Sequence, residues 1–491
     1  MLIRSSVGLA VAALVASFTW GSANAAPADE WEKSPVYAKW QALGGAAFAG
    51  EKVGDEVVVP GGRTRWAKFS KYDIVITWGD TAGAHWMSGA ISRKWLSNDY
   101  VFKSVPTNDQ VPVNRGGQAG AAVDFGPDSS IYYSDAYGAF LVTGVEMDVY
   151  RSNGGVTGKF GWPVSDLLQL GSGWEQQFSE AVSIYREPER WGFWISGALR
   201  DKFRAELAAG RPNWPAASQM PEPDGGWSIR MTRGAIYWSA STGARLVETS
   251  TADYFNSEGG PRRFGYPTSD SAAHHNGFIT DFVAQTTFYR GPDDSIAYWI
   301  SGQVRDTYRA QGGPGGSLGW PRSSQHPAPG TDGHYVLFGD NRDKVILWGH
   351  RTGGHVVQGS ILTKLRNGGD VAVYGLPQFG QLPAGPTAEF QQFENASVFL
   401  RADNHVPTLG WDFRAFWWDL GGLSSPLGLP QGDVHPLGND KFLVQKFDNG
   451  LMWCDYEVGE CGYSISDGNS QAALKQAARE NSKFRVRLQN R

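Results

Sequence analysis

The sequence predicts a mainly β protein: a propeller-like array of about eight repeats, each with short strands and one short helix, closed as one ring or two smaller ones. Three observations carry this expectation. The 491 residues include 63 Gly, 21 Trp, 18 Tyr and 25 Phe with only 19% charged residues, a balance rich in turns and short strands. A Gly-apolar-Pro turn recurs at nearly constant spacing, and an aromatic-ended strand recurs with it. Self-similarity at a fixed period of this size marks a repeat architecture.

The turn reads Phe160-Gly161-Trp162-Pro163, Phe264-Gly265-Tyr266-Pro267, Leu318-Gly319-Trp320-Pro321, Tyr374-Gly375-Leu376-Pro377 and Leu427-Gly428-Leu429-Pro430. A degraded copy ends at Trp214-Pro215, so the closing prolines fall at 163, 215, 267, 321, 377 and 430. Gly allows positive φ, and Pro fixes φ while stopping the preceding residue from continuing a helix. Ser165, Asp166, Ser269 and Asp270 follow the prolines, and their short side chains are expected to bond nearby N–H groups and lock the bend.

A bulky residue closes one strand at Phe69, Phe125, Phe178, Met231, Phe282, Phe338, Phe393 and Phe447, which makes eight units. A second strand ends at Trp78, Tyr133, Tyr185, Trp238, Tyr289, Trp348, Leu400 and Trp453. A third leads into segments such as "WISGALRDKFRAEL", where apolar residues recur every three to four positions as in a short amphipathic helix. Such a unit cannot bury its apolar face alone, whereas radial repetition covers each face with the next unit.

These residues resemble the LGFP repeat, found in exported proteins of mycolic-acid-containing actinobacteria. The resemblance runs from about Val36 to Cys461. It implies a propeller-like arrangement and attachment to the cell wall, with arabinogalactan or a related wall polysaccharide as ligand.

The domain plan is a signal peptide over 1–25, a linker over 26–35, eight repeats of about 54 residues over 36–461, and a basic tail over 462–491. Arg4, an apolar stretch over 7–18 and the A-x-A site Ala23-Asn24-Ala25 form the export signal. The expected product is secreted or wall-associated, with no transmembrane segment in the mature chain. Little sequence remains outside the repeats for a catalytic domain. The segment 36–43 resembles the helical half of a unit and 446–453 the strand half, so the termini are expected to pack together and complete one blade. Cys454 and Cys461 are expected to form a disulfide in an oxidising compartment, since a structural zinc site needs four ligands.

A net charge of -5 gives no general reason to expect nucleic acid as a partner. The sharpest ligand-binding candidates are Trp78, Tyr133, Tyr185, Trp238, Tyr289 and Trp348, because sugars pack their C–H faces on aromatic rings. Blade packing is the competing role for the same residues. Arg186, Arg290 and Arg401 flank the strand ends and are placed to orient a glycan. No cofactor or metal is expected: the nine histidines, including His274, His275, His350 and His355, show no compact ligand spacing.

Gly315-Gly316-Ser317-Leu318-Gly319 matches the G-x-S-x-G nucleophile elbow. The position of Ser317 holds Lys159, Arg263, Val373 and Pro426 in other copies, which marks it as linker. The expected function is therefore non-catalytic, multivalent binding of cell-envelope polysaccharide. The alternatives are a wall or glycolipid hydrolase or acyltransferase, and an adhesin or scaffold for another exported protein.

Overall fold

A computed structural model describes residues 28–59, 63–97, 104–211, 213–465 and 486–487. The chain divides into two compact units, 1–219 and 220–491. Among the described residues, the first unit holds three antiparallel sheets and the second holds five. The sheets occupy residues 52–87, 111–143 and 168–196, then 220–247, 272–301, 326–358, 382–410 and 435–464. Within each sheet the strands are neighbours in chain order, so short hairpins make every sheet local.

The repeat holds four strands, where the sequence pattern showed three. The additional strand opens each sheet directly after the proline turn and is short in most copies, as in Leu168–Leu170 and His326–Pro327. Its side chains are largely exposed, which leaves no apolar alternation for a sequence to reveal.

The third strand is flanked by strands on both sides, and its residues are almost all buried, as in Val182–Arg186. Its core-facing aromatic meets an aromatic of the following helix edge to face. Tyr132 meets Tyr150 (centroids 5.4 Å apart), Tyr185 meets Phe203 (4.7 Å), Tyr237 meets Phe255 (5.3 Å), Tyr289 meets Tyr308 (5.1 Å) and Phe399 meets Trp417 (5.6 Å). Such pairs add about 0.5–1.5 kcal/mol beyond area burial. In the first sheet the third strand carries Thr77 there, and Trp66 of the second strand meets Trp95 of the helix edge to face instead, at 6.0 Å.

The proline turn works as a key between units. Gly161 takes φ 73°, and Pro163 then bridges to Phe178, joining two landmarks of the repeat. Trp162 is 1% exposed and lies over Gly120 of the preceding sheet, where a Cβ would overlap its ring. Trp214 uses Gly173 in this way, Tyr266 uses Gly226, and Trp320 uses Gly277. The repeated turn aromatic therefore needs a repeated glycine about 40 residues earlier.

The serines and aspartates after the proline bond N–H groups as expected, but those N–H groups belong to strands and not to the bend. Ser165 accepts from Gln177 N–H (3.0 Å) and Ser269 from Asp281 N–H (3.0 Å), each on the second strand of its own sheet. Asp166 accepts from Leu141 N–H (3.0 Å) and Asp270 from Leu246 N–H (2.8 Å), each on the last strand of the preceding sheet. They staple sheet to sheet, and a one-turn reading of the sequence had no way to show the partner.

A second staple alternates between two forms. Ser271 N–H donates to Leu246 C=O (2.8 Å) and Gln325 N–H to Trp299 C=O (3.0 Å). At the turns opening the third, seventh and eighth sheets, a fully buried glutamine on the second strand reaches the preceding sheet instead. Gln176 donates to Leu141 C=O (3.2 Å), Gln391 to Val356 C=O (2.9 Å) and Gln445 to Thr408 C=O (2.9 Å).

Both ends of the array carry structure beyond the repeat pattern. Part of the expected linker 26–35 is helical, Ala28–Trp31, and Trp31 packs edge to face on Tyr37 (5.4 Å). The following helix, Pro35–Ala42, buries Val36 against Phe69 and Ile76 of the first sheet. The last sheet supplies four strands of its own, ending with Glu460–Ser464. The array accordingly runs past 461 to 464, and Val486–Arg487 adds a short fifth strand. Cys454 and Cys461 face each other across the last hairpin and form the disulfide. The expected signal peptide over 1–25 and most of the tail over 462–491 lie outside the described residues.

Candidate functional site

Strand register decides which of the expected aromatics can meet a ligand. Trp78, Tyr133, Trp238 and Trp348 occupy one position of the third strand, paired with Arg65, Ala121, Trp227 and His334 on the second. All four are partly exposed. Tyr185 and Tyr289 pair with Glu175 and Ile279, one residue earlier in the register. Successive strand residues face opposite sides, so these two point into the core and are 0% and 1% exposed. They are corrected from ligand candidates to core residues.

At the partly exposed position the third and fifth sheets carry Arg186 and Arg290. Arg186 lies over the Trp174 ring (4.5 Å) and donates through Nε to Glu146 Oε1 (2.7 Å), a residue 1% exposed. Arg290 lies over Phe278 (4.8 Å), with Nε 3.7 Å from Glu248 Oε1. Arg401 donates to Asp448 (2.8 Å) and to Pro430 C=O (3.2 Å). The guanidinium groups expected to orient a glycan are thus engaged within the protein.

Below Arg186, Tyr185 donates to Glu175 (2.7 Å), and Arg204 reaches both. Burial pushes the Glu175 carboxyl up, but the Tyr185 and Arg204 hydrogen bonds outweigh it and hold it below the usual 4.5. Burial also raises the Tyr185 hydroxyl far above its ordinary 10.0. This network consolidates the third sheet and is closed to a ligand.

The cleft with mixed chemistry lies at the turn that opens the sixth sheet. It measures about 480 Å³ and is lined by Gly316–Trp320, Arg322, Gly339–Asn341, Asp343 and Lys344. Trp320 is partly exposed, whereas its equivalents Trp162, Trp214 and Tyr266 are buried. Arg322 is held between Asp294 (2.9 Å) and Asp340 (2.6 Å), and Lys344 donates to Ser317 C=O. The Asp340 hydrogen bond, against an opposing burial effect, pushes the guanidinium further up. An aromatic face, two cations and several carboxylate and amide groups thus surround one concavity of ligand size.

Sequence reading missed this cleft because Arg322, one of its two cations, breaks the repeat pattern in one unit alone. Arg322 stands where other copies have Val164, Ala216, Thr268, Gln378 and Gln431. The available signal was that break in the repeat, directly after "LGWP".

Ser317 is exposed and lines the cleft, but the chain continues from it through Pro321 to the strand His326–Pro327. A nucleophile elbow requires a strand-to-helix turn, and that geometry is not what holds Ser317. Among the described residues, no three His, Cys, Asp or Glu side chains are grouped to hold a metal, and no helix is long and apolar enough to cross a membrane.

No curated protein matches the chain. Among solved structures, BamB from Moraxella catarrhalis shares 9% identity, with 73% of this chain and 82% of that one covered and a TM-score of 0.11. Apo AztD from Citrobacter koseri shares 9%, covering 72% and 84%, at 0.11. A streptogramin B lyase shares 7%, covering 67% and 87%, at 0.10. Likenesses at such scores fix neither fold nor function. The LGFP repeat model matches residues 214–262, from the turn tryptophan Trp214 through the fourth sheet and its helix, and supports the repeat family read from the turns.

Proposed function

We propose that the protein is an exported, non-catalytic repeat protein that binds cell-envelope polysaccharide, arabinogalactan-like, through several shallow aromatic sites. The observation that supports it most is the Trp320 cleft, where a partly exposed indole stands beside the donors and acceptors of Arg322, Asp340, Asn341 and Lys344. Saccharides need both, an apolar face for C–H groups and polar groups for hydroxyls. Trp78, Tyr133, Trp238 and Trp348 supply further partly exposed rings, and weak sites on one scaffold gain avidity through effective concentration. The propeller arrangement expected from the repeat belongs to the same proposal.

Pull-down on purified cell wall, with and without its arabinogalactan, tests this reading. Retention on complete wall, reduced by removing the polysaccharide and by Trp320→Ala, is the expected result. No retention on any wall fraction contradicts it. The exposure of Ser317 in the same cleft keeps a hydrolase as the second reading. Labelling by a fluorophosphonate, abolished by Ser317→Ala, would establish that reading in place of the first.

A further inference from the structure

The sixth sheet lacks the aromatic pair that joins third strand to following helix in the second, third, fourth, fifth and seventh sheets. Where Tyr132 and Tyr150, Tyr185 and Phe203, Tyr237 and Phe255, Tyr289 and Tyr308, and Phe399 and Trp417 meet, the equivalent residues are Leu347 and Leu365. Both leucines are buried, at 3% and 0% exposure. Two rings are thus replaced by two smaller side chains on the same scaffold, and a cavity of about 180 Å³ lies there. Its wall is Tyr335, Leu337, Val345, Leu347, Leu362 and Leu365. The pocket opens to solvent on one side, and its apolar wall can take a hydrocarbon chain out of water.

The mouth is polar and carries one charge of each sign. Exposed Asp370 and Arg366 both line it. Asp370 accepts from Val371 N–H (2.8 Å), capping a short helix. Arg366 gives one hydrogen bond, to Arg342 C=O (2.8 Å), out of five donors. An incoming carboxylate therefore finds guanidinium donors at the rim while its chain enters the apolar wall.

We propose that this cavity binds the alkyl chain of a medium-chain fatty acid, with the carboxylate on Arg366. The site is separate from the glycan cleft and does not depend on it.

Titration calorimetry of the full chain with octanoate, and with octanol as the uncharged control, tests the proposal. Wild type is expected to bind octanoate one to one and octanol at least several-fold more weakly. Arg366→Gln is expected to erase that difference while leaving octanol binding intact. Leu347→Tyr with Leu365→Phe restores the aromatic pair and is expected to abolish binding of both. Leu347→Phe alone, a smaller filling, is expected to weaken both at least tenfold. Absence of a one-to-one octanoate isotherm for wild type, or an unchanged isotherm in a filled variant that melts cooperatively, overturns the proposal.

Discussion

At the end of the third strand, the third and fifth sheets differ from the first, second, fourth and sixth in one side chain. The latter place Trp78, Tyr133, Trp238 and Trp348 at the partly exposed position, while the former place Arg186 and Arg290 there. The last aromatic of "SIY" and "TFY" is consequently the residue before, and it faces the core. A shift of one residue exchanges a partly exposed ring for a core ring. Equal-looking aromatics in a repeat can thus serve opposite purposes, and the two groups should separate under mutation.

The largest effect is expected inside. Tyr185→Ala removes a fully buried ring from Phe203 and a hydrogen bond from Glu175, and should cost about 3–5 kcal/mol, read by denaturant unfolding. A cost below about 1 kcal/mol would place Tyr185 outside the core.

Gln391→Leu should follow at about 1–3 kcal/mol, because it strands the carbonyls of Val356 and Phe379 that Gln391 now satisfies. Ser271 and Gln325 make the equivalent link through the backbone, so Ala at either leaves that N–H bond in place and should cost less.

The third sheet should also be sensitive to acid. Glu175 is held below its usual 4.5, so its stabilising contribution is complete above that value and is lost as pH falls through the lower folded value. Glu175→Gln should flatten the pH dependence of unfolding in that acid range, and an unchanged slope would remove Glu175 from the network.

The smallest effect on stability belongs to the outward group. Trp238→Ala should cost about 1 kcal/mol or less while weakening retention on wall polysaccharide. A large loss of stability would return Trp238 to the core and close the gap between the two groups.

The period, the count of eight units and the turn geometry were legible in the sequence, since Gly161 and Pro163 impose them locally. Strand facing was not, because copies aligned on their last aromatic slip by one wherever that position holds Arg186 or Arg290. The partners of Asp166 and Trp162 were also hidden, as both act on the preceding sheet. The Trp320 cleft lies where turn and hairpin meet in every well-formed copy, and it is the substitution of Arg322 after the proline that sets this copy apart.

The central claim is that the outward aromatics bind wall polysaccharide together. Retention on arabinogalactan-bearing wall should therefore be measured for wild type and for the variant with Trp78, Tyr133, Trp238 and Trp348 all changed to Ala. Each single change should weaken retention modestly and the fourfold variant should keep only what the Trp320 cleft supplies, with cooperative unfolding preserved. Retention of the folded fourfold variant equal to wild type would contradict the account.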